Sequence, residues 1–105
     1  MSSMNLSELE QIILARKNHP NSTSYTAKLL SSGINKIAQK VGEEATEVIV
    51  AALGQTRTDQ INELADLFYH TLVLMAQLDL TLEDVGEELS KRHKEKSDSP
   101  LDTSA

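Results

Sequence analysis

Apolar residues recur along most of the chain at intervals of three and four positions, the spacing of one face of an α-helix. The clearest case lies over residues 34–53, where the apolar set is Ile34, Ile37, Ala38, Val41, Ala45, Val48, Ile49 and Ala52. Residues 59–78 are apolar on nearly every side beyond Leu64. A helix of that kind is usually central and packs against several neighbours. The strand-like alternation of apolar and polar residues is missing from the sequence.

Shorter helical segments surround these long ones, with predicted bounds of 6–17, 24–33 and 81–96. Ser7 and Glu10 have the spacing of a capping box at the start of the first. Gly33 is a typical stop for the second. Thr81, followed by Asp84, predicts the start of the last.

The fold class expected from this pattern is all-α, an antiparallel bundle of four to five helices completed by homodimerisation. The chain has 105 residues, enough for one domain with a modest core. That domain is predicted to cover residues 1–96, and the polar segment 97–105 to be a disordered tail. A second copy is expected because a few short helices can hardly cover the apolar helix over residues 64–78.

Charge and composition exclude several classes of protein. The net charge of −6 argues against nonspecific nucleic-acid binding, which depends on Lys and Arg. The longest apolar run, near residues 72–76, is far shorter than the roughly 18 residues that a membrane span needs. The sequence has no cysteine, and its N-terminus lacks the basic and apolar regions of a secretory signal. We therefore expect a soluble cytoplasmic protein with neither a nucleic-acid nor a membrane partner.

Acidic residues lie at the edge of the apolar stripe over residues 34–53. On a helical wheel at about 100° per residue, Glu44 and Glu47 flank the stripe one turn apart, and Lys36 and Lys40 share that edge. Each acidic pair of this kind, taken alone, is more often a solvated surface feature. Lys40 also has the spacing of a surface partner for Glu43 and Glu44.

The next helix repeats the arrangement with Glu63 and Asp66 at one edge of its apolar surface. A connector of about five residues predicts that the two helices pack as antiparallel neighbours, so that the acidic pairs face each other. Four carboxylates in a partly desolvated place need a counter-charge. Mg²⁺ or Mn²⁺ would supply it, with the lysines binding substrate phosphates, and this combination suits hydrolysis of a phosphoric anhydride. His70, on the same edge, is more often a wedged or capping histidine than a ligand.

The strings "EATE" (44–47) and "ELAD" (63–66) resemble the ExxE…ExxD signature of the all-α, MazG-like nucleotide pyrophosphohydrolases. Four longer strings resemble the phosphoribosyl-ATP pyrophosphatases of histidine biosynthesis, and the resemblance extends over residues 6–93. These strings are "SYTAKLL", "KIAQKVGEEATEVIVAA", "ELADLFYHTLVLM" and "LEDVGEELSKRH". One departure is that Ile34 and Asn35 stand where Pro-Asp is expected after the glycine, which removes a helix-starting proline.

The resemblance implies an enzyme that hydrolyses phosphoribosyl-ATP to phosphoribosyl-AMP and pyrophosphate with Mg²⁺. It also implies a dimer or a tetramer, and of these we predict the homodimer. The implied metal ligands are Glu44, Glu47, Glu63 and Asp66. Glu43 and Glu47 are the implied catalytic acids, with Glu43 either orienting water or supporting a metal ligand from behind. The implied substrate-binding residues are Lys36, Lys40, Tyr25, Thr26 and Lys28.

Two alternatives to this function stay open on the sequence. One keeps the chemistry but changes the substrate to noncanonical nucleoside triphosphates, as in a house-cleaning enzyme. The other is a helical interaction module without catalysis, which would show no stabilisation by divalent metal.

Overall fold

The computed structural model describes residues 3–95, in which five α-helices follow one another without any strand. They are α1 (Leu6–Lys17), α2 (Tyr25–Ser31), α3 (Ile34–Gly54), α4 (Arg57–Gln77) and α5 (Leu82–Glu95). The all-α class is therefore confirmed. The predicted tail over residues 97–105 lies outside the described residues. None of the five helices is long and apolar enough to cross a bilayer.

The capping box predicted for α1 is wrong by two residues. Asn5, not Ser7, is the N-cap: its side chain accepts a hydrogen bond from the Glu8 backbone N–H at 2.8 Å, and the Glu8 carboxylate accepts one from the Asn5 N–H at 3.2 Å. Asn5 is as good a cap as serine, and it already has the extended backbone that a cap needs. Glu10 is freed for another contact and accepts the Leu82 N–H at 2.7 Å, which holds the start of α5 against α1.

Two other helices begin at capping boxes, and one begins without a side-chain cap. Thr56 and Asp59 exchange hydrogen bonds at the start of α4. Thr81 and Asp84 do so at the start of α5, at 2.9 and 3.1 Å, as predicted. Gly33 precedes α3 with a φ of 94° and no side-chain hydrogen bond. That left-handed conformation suits glycine and turns the chain directly from α2 into α3.

The core lies at the end of the α3–α4 hairpin that is remote from its turn. It is built by α1, α2, α3 and α4 and consists of Ile13, Leu29, Ile37, Leu72, Val73 and Ala76. Lys17 closes this end, because its Nζ donates to the Ala76 carbonyl and to Asp79 Oδ1, both at 2.6 Å. The core is aliphatic, in keeping with a sequence in which aromatic residues make up only 3%.

α3 and α4 are joined by only two residues, Gln55 and Thr56, and therefore pack as antiparallel neighbours. The fully buried positions of α3 are Ile37 and Ala51, which lie seven residues either side of Glu44. We call the contact between α3 and α4 the seam. Along it lie an apolar layer at Ile37, an acidic layer at Glu44 and a third layer in which Gln60 Nε2 donates to the Ala51 carbonyl at 3.1 Å. The face that α3 turns toward α4 is thus the edge of its apolar stripe, not the centre.

Candidate metal centre between α3 and α4

Three carboxylates meet in the acidic layer of the seam. Glu44, Glu63 and Asp66 each offer one oxygen, and these oxygens all lie within 4.8 Å of one another. Glu44 and Glu63 are half-buried, whereas Asp66 is exposed. The hairpin brings them together because Glu44 and the two acids of α4 lie at similar distances from the turn. We call these residues the acidic cluster.

Glu63 shows the electrostatic cost of this convergence. Its pKa is raised, first by burial and then by the negative charges of Glu47, Asp66 and Glu44. Over residues 3–95, no lysine, arginine or histidine nitrogen lies within 4.0 Å of a carboxylate oxygen of Glu63 or Asp66. The cluster is therefore a site of excess negative charge that favours a proton or a cation.

Glu47 borders the cluster without belonging to its closest group. Its side chain is exposed, one turn beyond Glu44 on α3. It is nevertheless the first of the three acids whose charge raises the pKa of Glu63. The structure thus brings the fourth predicted ligand to the rim of the site.

Lys40 is the basic residue beside the cluster. Its Nζ lies 3.6 Å from an oxygen of Glu44 and 3.6 Å from an oxygen of Glu43. Burial lowers the pKa of Lys40, but Tyr25, Glu44 and Glu43 together raise it by more, so the net shift is upward. The ammonium group therefore stays charged at neutral pH at the edge of the acidic cluster.

Glu43, predicted to orient water, engages its own helix instead of the cluster. Gln39 Nε2 donates to Glu43 Oε2 at 2.9 Å, and this hydrogen bond is the largest cause that lowers the pKa of Glu43. Lys40 and, more weakly, Lys36 act in the same direction. The Lys36 side chain is exposed near this acid.

α2 contacts α4 through side chains of its first turn. The Tyr25 hydroxyl lies 3.3 Å from His70 Nε2, and the Thr26 hydroxyl forms a hydrogen bond with that of Tyr69. These contacts place Tyr25 and Thr26 beside the part of α4 that follows Asp66. Lys28, one turn further along α2, is exposed.

His70 is the residue near the site to which the sequence assigned no role. It is only 6% exposed, and its Nδ1 lies 2.7 Å from the backbone carbonyl oxygen of Asp66. The four-residue spacing from Asp66 to His70 was visible in the sequence as one helical turn. The contact with Tyr25 was not, because that residue is 45 positions away.

A sequence model of the phosphoribosyl-ATP pyrophosphohydrolase family matches residues 6–93. The chain belongs to this family. The match includes all three acids of the cluster, Lys40, and the residues of α2 that contact α4.

Curated relatives are similar over most of the chain. A phosphoribosyl-ATP pyrophosphatase of Trichlorobacter lovleyi is 53% identical over 87 residues, which cover 83% of this chain and 81% of the relative. One of Clostridium acetobutylicum is 49% identical over 89 residues, with 85% and 81% covered. A histidine biosynthesis bifunctional protein of Oceanobacillus iheyensis is 50% identical over 84 residues, 80% of this chain but 39% of that longer protein.

Proposed function

We propose that this protein hydrolyses phosphoribosyl-ATP to phosphoribosyl-AMP and pyrophosphate in histidine biosynthesis. Family membership supports the reaction, since close relatives carry the name of this activity. The observation that carries the site assignment is the approach of three carboxylate oxygens to within 4.8 Å of one another. A non-catalytic interaction module has no need of such an excess of negative charge in its packed seam.

The donor chemistry of the cluster suits Mg²⁺ or Mn²⁺. All of the donors are carboxylate oxygens, the ligands that hard divalent cations prefer, and Mg²⁺ commonly uses few protein ligands together with waters and substrate phosphates. The pKa of Glu63, raised first by burial and then by the neighbouring acids, fits such a site, because a bound cation would offset the repulsion between these acids. We assign Glu44, Glu63 and Asp66 as the central ligands, with Glu47 at the rim. When bound, the ion would screen phosphate charge and activate water for attack on the anhydride.

The remaining polar residues act on the substrate in this proposal. Lys40 is charged and next to the cluster, so its ammonium group would bind phosphate oxygens, with the exposed Lys36 extending this positive edge. Glu47, at the rim of the cluster, would hold the attacking water and accept its proton, and Glu43 would keep Lys40 oriented through their contact. Tyr25, Thr26 and Lys28 would contact the nucleoside portion from α2.

We also propose that the protein works as a homodimer. Large apolar side chains of α3 and α4 are exposed, among them Leu53 at 83%, Ile49 at 59%, Ile61 at 53% and Phe68 at 47%. α5 contains no buried residue within Leu82–Glu95. The radius of gyration is 15.8 Å, above the about 13 Å expected for a compact chain of this size.

Several large apolar side chains exposed on two neighbouring helices are typical of a subunit interface. A second copy fits it because two-fold association buries the same apolar side chains on both chains. The described helices lack a membrane span and the chain lacks cysteine, which supports a cytoplasmic location.

A substrate panel tests the reaction. We expect Mg²⁺-dependent release of pyrophosphate from phosphoribosyl-ATP, with at least about a hundredfold lower kcat/KM for free nucleoside triphosphates. The opposite preference would replace this proposal with a house-cleaning triphosphate pyrophosphohydrolase. Rescue of a histidine auxotroph that lacks this step is the matching test in cells, and an Asp66→Asn variant is its control.

A further inference from the structure

His70 combines deep burial with two directed hydrogen bonds. Its ring is 6% exposed, Nδ1 lies 2.7 Å from the Asp66 carbonyl oxygen, and Nε2 lies 3.3 Å from the Tyr25 hydroxyl. The rings of Tyr69 and Tyr25 meet it nearly edge-on, with interplanar angles of 86° and 79°. A histidine with both nitrogens engaged in this way has one orientation available to it.

These contacts decide which group holds each proton. A carbonyl oxygen can only accept, so Nδ1 carries the hydrogen. In the neutral ring Nε2 is then a lone-pair acceptor, and the Tyr25 hydroxyl is the donor. The phenol proton is thus committed to His70, which leaves the Tyr25 oxygen to present lone pairs only.

Tyr25 needs such a restraint, because its side chain is 55% exposed. An exposed side chain that has to adopt one orientation on binding loses conformational freedom at that moment. Because the hydrogen bond to His70 already orders Tyr25 in the free protein, less conformational freedom is lost when the substrate binds. Its location is relevant to the site, since His70 itself lies against the backbone carbonyl of Asp66 in the acidic cluster. The Tyr25 phenol is also the largest of the causes that raise the pKa of Lys40, the lysine paired with Glu44.

We propose that His70 is a positioning residue for substrate binding, which holds Tyr25 so that its phenol oxygen accepts a hydrogen bond from a hydroxyl or amino group of the nucleotide. Because the phenol proton is already used, Tyr25 does not donate to a phosphate oxygen, and that role is left to the lysines. The inference rests on the proposed function for the identity of the substrate. It adds a specificity contact for the nucleoside portion and gives the buried histidine a role outside metal binding.

Steady-state kinetics on phosphoribosyl-ATP test this inference. Tyr25→Phe and His70→Leu should each raise KM roughly 3- to 10-fold, the value of one hydrogen bond, with kcat within about twofold. The KM of the double variant should be no higher than that of the single variant with the higher KM, since both substitutions remove the same contact. His70→Gln retains an acceptor near the position of Nε2, so its KM should lie between those of the wild-type protein and His70→Leu. In a Tyr25→Phe background the two His70 variants should have the same KM.

A matched control is Tyr69→Phe, which removes the other hydroxyl contact between α2 and α4 and leaves the Tyr25–His70 pair intact. Its KM should change at least about threefold less than that of Tyr25→Phe. If the pair merely anchored α2, the two tyrosine variants would behave alike. Partial unfolding would instead lower kcat per mole of protein with KM unchanged, and either result overturns the inference.

A spectroscopic measurement tests the geometry without turnover. Long-range ¹H–¹⁵N NMR on the neutral ring should show His70 as the Nδ1–H tautomer, with a shift at Nε2 in Tyr25→Phe but not in Tyr69→Phe. An Nε2–H tautomer would overturn the inference. A wild-type protein that releases no pyrophosphate would overturn the proposed function itself. An active wild-type protein whose Tyr25→Phe variant keeps its KM would overturn only the role of His70.

Discussion

Replacement of Glu63 by glutamine should stabilise the protein without metal and make it insensitive to metal. Glu63 belongs to the acidic cluster, its pKa is raised, and it has no basic partner within 4.0 Å among the described residues. The neutral amide keeps the size of the side chain and removes a charge that burial and three neighbouring acids oppose. The same change removes one of the negative charges that would hold a divalent cation.

The size of the metal effect follows from mass action. A cation that binds only the folded state at ten times its Kd adds about 1.4 kcal/mol to the free energy of unfolding. For a chain of this length that corresponds to a rise in Tm of roughly 5–10 °C. The Tm of Glu63→Gln should rise by less than about 2 °C at the same metal concentration. The variant should therefore have the higher Tm in chelator, and the wild-type protein the higher Tm in Mg²⁺ or Mn²⁺.

The assay is differential scanning calorimetry at one protein concentration and pH 7.5, first in chelator and then over a metal titration. Glu87→Gln is the matched control, because Glu87 is an exposed acid on α5 away from the cluster. It should follow the wild-type protein in both conditions. The reasoning is refuted if Glu63→Gln melts below wild type in chelator, or if it gains as much from metal as wild type does.

Further predictions concern the chemistry, the pH dependence, the core and the interface. Asp66→Asn should reduce kcat for pyrophosphate release at least about a hundredfold while circular dichroism shows an unchanged helix content; near-normal turnover would show that the ligand assignment is wrong. Without metal, the Tm advantage of Glu63→Gln over wild type should be largest at neutral pH. This difference in Tm should shrink as the pH falls toward 4.5, the usual pKa of glutamate. With its pKa raised, Glu63 takes up a proton in the folded wild-type protein before it would in the unfolded chain, and the repulsion from its acidic neighbours is then lost. A difference in Tm that stays constant from pH 7 to 5 would contradict this. Replacing Ile37, which is 0% exposed, by alanine should lower the protein's free energy of unfolding by about 2–5 kcal/mol, as measured by urea denaturation. Phe68→Asp should shift the protein from dimer to monomer in size-exclusion chromatography with light scattering, and a wild-type protein that is monomeric at micromolar concentration would refute the dimer.

The helices themselves could be predicted from the sequence because helix formation depends on local periodicity and on short-range caps. The bounds of α3 and α4 and the capping box at Thr81 follow from residues within a few positions of one another. The acidic pairs were also accessible in this way, since a short connector forces α3 and α4 to be antiparallel neighbours. The predicted N-cap of α1 was wrong because Asn5 with Glu8 and Ser7 with Glu10 both have the spacing of a capping box, and the backbone conformation decides between them.

The rotation of α3 about its own axis was decided only by the tertiary structure. Periodicity marks which residues avoid water, but it does not distinguish burial within one chain from burial against a second. Ile37 is buried in this chain, whereas Ile34 and Ile49 of the same stripe are 40% and 59% exposed. α3 turns the acidic edge of its stripe to α4, which places Glu44 in the middle of the seam and leaves Ile34 and Ile49 exposed.

The orientation of Tyr25 is likewise a tertiary property. The sequence identified Tyr25 by resemblance and left His70 without a role, because the two residues are 45 positions apart. Only the packing of α2 on α4 brings the phenol to the imidazole, and only the Asp66 carbonyl determines which nitrogen accepts its proton. The sequence alone therefore determined the helices and their chemical groups, whereas contacts between distant residues decided which groups meet and which way their protons point.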